Sequence, residues 1–160
     1  SSGGPPMLNV LYNNNYQIVQ SPGYVMIMVE MNHDARIIRL NSEFNPDNMR
    51  RWLGDSIGFW EGNTLVVKTK NHHPQQKFRA AIRHQILISE DAEITEKFTR
   101  VGKNEILYQF EVNDDEAYKD VWKGEMPLRA SQERIYEYAC HEGNYAMANI
   151  LAGARAEEEQ

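Results

Sequence analysis

The side chains best suited to chemistry crowd into the stretch YEYACHEGNYAMANIL, residues 136–151. An imidazole changes protonation near neutral pH and a carboxylate beside it can orient it, so His141 and Glu142 are candidates for a general acid/base pair. Glu137 adds a second carboxylate, and Tyr138 adds a second proton donor. In the competing interpretation Glu142 only stabilises a helix start and His141 only bonds a backbone carbonyl. Proton transfer is our first hypothesis for this stretch.

Cys140 stands directly before this pair and is the single cysteine of the chain. A nucleophilic thiol needs a nearby base and an electropositive setting. Sequence neighbours on a strand point to opposite faces, so His141 is not automatically within reach of the sulfur. The pattern favours a buried structural thiol.

The sequence HDAR, residues 33–36, forms a second constellation. His33 and Asp34 are further candidates for acid/base work. Asp34 and Arg36 share a strand face, so they could form an ion pair that fixes a substrate carboxylate or a catalytic group. The alternative is an exposed hairpin tip, at which such a surface pair contributes little.

Further candidates for ligand binding are single residues in apolar surroundings. Glu30 lies within the apolar run YVMIMVEM, and if it faces inward it must be paired or protonated. Trp52 and Trp60 could form the aromatic walls of a small-molecule pocket, although packing in the core or under a lid is equally compatible with them. Tyr108, on an alternating strand, is the last candidate of this kind.

The sequence predicts neither a metal nor an organic cofactor. There are five histidines, at positions 33, 72, 73, 84 and 141. None of them stands in HxH or HExxH spacing, and there is no CxxC pair. The adjacent His72 and His73 precede a proline, which is typical of a loop.

Composition limits the class of partner. The chain has 160 residues and a formal net charge of −6, which argues against nucleic acid as a partner. It has no run of about 18 apolar residues, so we expect no membrane span. The start, SSGGPP, lacks the apolar core of a signal peptide. A small molecule is the expected partner, and homo-oligomerisation is left open.

Alternating apolar and polar residues predict about nine or ten short strands and hence an all-β, antiparallel barrel, because closure removes exposed strand edges. Asn32-His33 and Gly62-Asn63 have the spacing of hairpin turns. Residues 134–140 are expected to form the last strand, with Glu137 pointing inward. Residues 1–15 are predicted to form an extended arm, and residues 16–157 a single domain.

Two helices are expected to interrupt this pattern. Asp47 can cap a short helix over residues 48–53, which Gly54 would end. Asn144 can cap a C-terminal helix that carries Met147, Ile150 and Leu151 on one face.

Several stretches together resemble an uncharacterised family of secreted bacterial proteins with a lipocalin-like, calycin-type β-barrel. The resemblance runs from about residue 6 to residue 157. It is carried by NNNYQIVQSPGY, HDARIIRL, RRWLGDSIGFWEGNTLVVKT, EKFTRV and YEYACHEGNYAMANIL. It implies a fold of that type and a secreted or periplasmic location, but no particular reaction.

Three functions follow as hypotheses. The first is a small-molecule enzyme doing acid/base chemistry of lyase, isomerase or hydrolase type, with His141 as the general acid/base and Arg36 binding an anionic group. The second is a non-catalytic carrier of an apolar molecule, and the third is an interaction module of a longer secreted protein. A cavity lined jointly by His141, one of the glutamates and either Arg36 or His33 favours the first, and a deep cavity with only apolar and aromatic walls favours the second. A packed interior with an exposed apolar patch favours the third.

Overall fold

A computed structural model describes residues 4–10, 12–76, 78–80, 85–139 and 141–158. His84 and Cys140 lie outside these ranges, so the prediction of a buried thiol concerns a residue that the structure does not describe. The strands and the helix have the following bounds: β1 Tyr16–Ser21, β2 Tyr24–Val29, β3 Ala35–Leu40, β4 Asp55–Glu61, β5 Thr64–Lys70, β6 Phe78–Ala80, β7 Gln85–Leu87, β8 Glu93–Gly102, β9 Glu105–Asn113, β10 Trp122–Arg129 and α1 Ala146–Glu158.

Within the described ranges, eight strands form one sheet in the order β1-β2-β3-β4-β5-β8-β9-β10, and β6 and β7 form a separate hairpin. The sheet curls into a half-barrel with β1 and β10 as its edges. The mostly β fold and the two-residue turn at Gly62-Asn63 are confirmed, since β4 pairs with β5 in antiparallel register. β2 and β3 also pair antiparallel, but the two-residue turn predicted at Asn32-His33 is wrong, because a longer connection with the 3₁₀ turn Met31–His33 joins them. The closed barrel remains a prediction.

One strand pair departs from the expected antiparallel pattern. β3 and β4 run parallel, with Ile38 opposite Ser56 and Leu40 opposite Gly58. Parallel neighbours require a crossover, which residues 41–54 provide. Asp55 anchors this connection, because its buried carboxylate accepts hydrogen bonds from Arg39 Nη2 at 2.9 Å and from the backbone N–H of Asn45 at 2.7 Å.

The predicted helix over residues 48–53 is wrong, because the chain forms turns there. Tertiary hydrogen bonds compete with the helix: the N–H of Arg51 donates to the carbonyl of Asn71, and the N–H of His73 donates to the carbonyl of Arg51. Gly54 closes the turn at φ +72, where an added Cβ would lie 2.6 Å from Thr69 Cγ2. Pairing with the segment after β5 therefore outweighs the local helix preference.

The predicted last strand over residues 134–140 is also wrong for the residues described, 134–139, which form no strand. After β10 the chain leaves the sheet, and Glu137, which was expected to face inward, is exposed. The alternation of Ile135, Glu137 and Ala139 imitates a strand period. To form a strand, this segment would have to pair with the sheet as a ninth strand. Among the described residues it does not.

The C-terminal helix is confirmed, and Asn144 caps it by accepting a hydrogen bond from the N–H of Ala146 at 3.2 Å. Its apolar residues are not packed, since Met147 and Ile150 are 68% and 64% exposed. The hydrophobic core lies instead on the concave face of the sheet, where the strand alternation places Ile27, Ile38 and Val67. Each such side chain contributes roughly 1.5–3 kcal/mol through burial.

The N-terminal residues complete this core. Residues 4–7 are buried, and Met7 is only 1% exposed. The backbone N–H of Met7 donates to the Tyr108 hydroxyl at 2.8 Å. The start of the described chain thus occupies part of the space that the half-barrel encloses.

Candidate functional site

A cavity of about 550 Å³ lies at the rim of the half-barrel, between the turn that follows β2 and the corner that precedes α1. We call it the rim pocket. Its lining residues are Asn32, His33, Tyr138, His141 and Glu142. The two candidate constellations of the sequence, HDAR and YEYACHEG, therefore contribute side chains to one site.

The turn that presents His33 has an uncommon backbone. Asn32 and His33, within the 3₁₀ turn Met31–His33, are both left-handed, at φ 61 and φ 46. Residues other than glycine are uncommon in the left-handed region of backbone conformation, and such backbone strain clusters at functional sites. The surrounding backbone holds the turn in place, since the N–H of Val29 donates to the carbonyl of Asp34 at 2.8 Å. His33 itself is exposed.

Glu30 anchors the segment that leads to Tyr138 in the rim pocket. Its side chain faces inward and is paired, as its place in an apolar run required: the residue is 4% exposed. One carboxylate oxygen accepts from Asn15 Nδ2 at 2.7 Å, and the other accepts from the backbone N–H of Tyr136 at 3.1 Å. Glu30 therefore ties the residues before β1 and the C-terminal segment to the end of β2. It is a positioning residue for Tyr138.

The corner itself is a tight turn. The N–H of Asn144 donates to the carbonyl of His141 at 3.2 Å, and Gly143 takes φ +75. Tyr138 stacks on Tyr12 with ring centroids 6.3 Å apart. His141 and Glu142 are exposed. The arrangement offers two imidazoles, a carboxylate and a phenol to a solvent-accessible molecule, which are groups able to donate and accept protons.

The remaining predicted residues lie elsewhere. Arg36 is buried in the core and bonds Glu96 through two nitrogens, at 2.6 and 3.2 Å. Tyr108, also fully buried, donates its hydroxyl to Glu96 at 2.8 Å. Trp52 and Trp60 are 53% and 46% exposed, so neither belongs to the core. Trp52 stacks on His73 with centroids 4.1 Å apart.

We call Arg36, Glu96, Tyr108 and the Met7 N–H the core network. Burial raises the pKa of Tyr108 well above its ordinary value, and the negative charge of Glu96 raises it further. The pKa of Tyr16 is also raised, mainly by burial. The positive charge of Arg36 opposes this shift, and the negative charge of Glu96 adds to it. The Arg36 and Tyr108 bonds to Glu96 are charge-assisted and buried, whereas Arg36 Nε is buried without a hydrogen-bond partner.

Sequence reasoning missed Glu96 and Asn32. The signal for Glu96 was available: it stands between Ile94 and Phe98 on the apolar face of an alternating strand, and a carboxylate there requires a partner. That partner is Arg36, the one inward-facing cation of HDARIIRL. Asn32 offered no signal beyond its tendency to form turns.

Comparison of the chain with protein-family models, with curated proteins and with solved structures found no match. Over the described ranges, no helix is both long and apolar enough to cross a membrane. The same residues contain no group of three or more histidine, cysteine, aspartate and glutamate side chains that could hold a metal ion.

Proposed function

We propose that this chain is a small-molecule enzyme that performs acid/base chemistry in the rim pocket. One observation carries the proposal: His33 and His141, from opposite ends of the chain, line the same cavity together with Glu142 and Tyr138. The backbone turn that presents His33 supports it, because the hydrogen bond from the N–H of Val29 to the carbonyl of Asp34 holds this turn. Both histidines are exposed, so a small molecule can reach them from solvent.

Each residue has a proposed role. His141 is the general acid/base, and Glu142 orients its ring. Tyr138 is a second proton donor, held in place by its contact with Tyr12 and by the anchoring of Tyr136 on Glu30. His33 is the second imidazole and acts as a unit with His141 in the proton transfer. Elimination, isomerisation and hydrolysis all require this type of proton transfer.

The finer fold assignment and the location are part of the proposal. The curled sheet, the C-terminal helix and the resemblance of five sequence stretches support a lipocalin-like barrel and a secreted or periplasmic protein. A carrier of an apolar molecule is less well supported, because Met7 and Tyr108 fill the concave side. An interaction module is the second candidate, favoured by the exposed Met147, Ile150 and Leu151 of α1.

The test uses substrates that report proton transfer directly. The protein is incubated in D₂O with a panel of small ketones, keto acids and hydroxy acids, and deuterium incorporation is followed by NMR. Activated esters in a parallel panel report hydrolysis. We expect at least one compound to react, and the rate to fall about 100-fold in His141→Ala, within the usual contribution of a general acid/base.

His73→Ala is the control, because it removes an imidazole that lies outside the rim pocket, stacked on Trp52. Equal rates for wild type and His141→Ala, or equal losses in His141→Ala and His73→Ala, would contradict the proposal.

A further inference from the structure

A second and larger cavity, of about 1080 Å³, lies on the open side of the half-barrel. We call it the seam cleft, because β1 and β10, the two edges of the sheet, both contribute to its walls. Part of segment 130–135, which follows β10, lines it as well. The rim pocket and the seam cleft have no lining residue in common.

The floor of the seam cleft is apolar and continuous with the core. Tyr16, Ile106, Met126 and Leu128 line the cleft, and the same four side chains pack against the hydrophobic core cluster. A molecule in the cleft would therefore cover apolar surface on a rigid base. Burial of such surface stabilises binding in proportion to the area that is removed from water.

The rim of the seam cleft has the opposite charge from the chain as a whole. Four cations line it, Arg100, Lys103, Arg129 and Arg134, against the two carboxylates of Glu105 and Glu133. The chain has a formal net charge of −6, so this excess of cations is local. Arg129 pairs with Glu105 at 3.4 Å. The remaining cations outnumber the remaining carboxylate and favour an anionic group at the edge of an apolar floor.

Strand addition by a peptide is the obvious alternative use of two sheet edges. Pro127, however, lies on β10 and lines the cleft. Proline has no N–H and within a sheet is confined to edge strands, where its nitrogen faces the unpaired side. Pro127 thus removes an N–H donor from β10 where it lines the cleft, which disfavours backbone pairing along this edge and favours a ligand held by side chains.

We infer that the seam cleft binds a free, single-chain amphiphile with an anionic head group, such as an aliphatic carboxylate. Its chain lies on the floor formed by Tyr16, Met126 and Leu128, and its head group lies at the cationic rim. This binding site is independent of the chemistry proposed for the rim pocket.

The experiment measures binding of decanoate, below its micelle concentration, by isothermal titration calorimetry at low salt. Hexanoate tests the apolar floor, and we expect affinity to fall about fourfold for each methylene removed. 1-Decanol tests the head group and should bind about tenfold more weakly than decanoate, since it lacks the charge.

Lys103→Glu/Arg134→Glu tests the rim, and we expect it to weaken decanoate binding by at least about tenfold. Lys68→Glu/Lys119→Glu is the matched control, because it changes the net charge equally at exposed positions outside the cleft. No binding of decanoate, equal binding of 1-decanol, or equal losses in the two double variants would overturn the inference.

Phosphatidylglycerol vesicles provide the last arm, since a cationic rim could also meet an anionic membrane surface. Retention of the protein on vesicles together with no binding of free decanoate would overturn the inference in favour of a membrane contact. Decanoate binding that is lost only in Lys103→Glu/Arg134→Glu supports it.

Discussion

The core network and the rim pocket are built from the same kinds of side chain in opposite surroundings. In the core network Arg36 and Glu96 are 3% and 0% exposed, and the carboxylate also accepts a hydrogen bond from Tyr108. In the rim pocket His33 and His141 are exposed, on a turn and a corner. A buried pair without solvent access stabilises one conformation, whereas groups in contact with solvent can exchange protons with a ligand.

The difference in burial indicates which side chains contribute to stability and which are available for function. Breaking a buried pair leaves an uncompensated charge in the core. Removing an exposed imidazole leaves nothing uncompensated. Substitutions in the core network should therefore lower stability strongly, and substitutions in the rim pocket should lower activity with little effect on stability. Glu30 connects the two behaviours, because its buried carboxylate holds the Tyr136 N–H, two residues before Tyr138 of the exposed pocket.

The largest expected effect follows removal of Arg36. Arg36→Met leaves the Glu96 carboxylate buried without its ion pair, and we expect the free energy of unfolding to fall by about 3–5 kcal/mol. Urea denaturation followed by circular dichroism measures it. Arg36→Met/Glu96→Leu removes both charges and should recover part of the loss, since the buried Tyr108 hydroxyl then has no carboxylate to donate to. A single variant as stable as wild type would show that the pair is not a core element.

A smaller loss is expected when the Tyr108 hydroxyl is removed. Tyr108→Phe leaves the Met7 N–H and one Glu96 oxygen without this partner, which costs about 1–3 kcal/mol. Phe98→Leu, a neighbouring apolar change at the ring 5.0 Å away, serves as the control for packing alone.

The same hydroxyl predicts a pH dependence. Because the pKa of Tyr108 is raised well above 10.0 in the folded protein, the unfolded chain loses this proton first. The stabilisation is therefore complete below about pH 10 and is lost as the pH rises towards the folded-state value. Urea midpoints measured from pH 8 to pH 11 should fall less steeply in Tyr108→Phe than in wild type. Parallel curves would contradict the assignment.

An intermediate effect on stability with a large effect on activity is expected at Glu30. Glu30→Ala removes the acceptors of Asn15 and Tyr136, which costs about 1–2 kcal/mol and releases the segment that leads to Tyr138. Hydrogen exchange at the Tyr136 amide should accelerate, and panel activity should fall. The exposed Glu137→Ala is the matched control and should change neither quantity.

The smallest effect on stability belongs to the rim pocket. His141→Ala should change the free energy of unfolding by no more than about 0.5 kcal/mol, because the imidazole is exposed. The same urea denaturation measures it. A loss as large as that of Arg36→Met would make His141 a structural residue and would contradict the acid/base role.

The positions of the strands were predictable from the sequence wherever one face of a strand is apolar and packs in the core. Leu65, Val67 and Thr69 share a buried face, as the period of two requires. The segments of residues 48–53 and 134–139 were not predictable, because their local patterns are outweighed by distant partners: Asn71 for the first, and Glu30, which receives the Tyr136 N–H, for the second. Local periodicity carries no information about such long-range hydrogen bonds.

The candidate site was partly predictable for a similar reason. Residue chemistry alone selected His33, Tyr138, His141 and Glu142, but their convergence depends on the fold. Residue chemistry also pointed to Arg36 and Tyr108, but their positions on the strands direct both side chains into the core. Their partner Glu96 lies on a strand that pairs with neither β2 nor β3.

The most direct test of the central claim is the reaction rate of His33→Ala/His141→Ala compared with the two single variants, using the most reactive compound of the panel. Residues that act as a unit give losses that do not add. The rim pocket proposal predicts that the double variant is no slower than the slower single variant. Losses that multiply, or no loss in either single variant, would contradict a shared site.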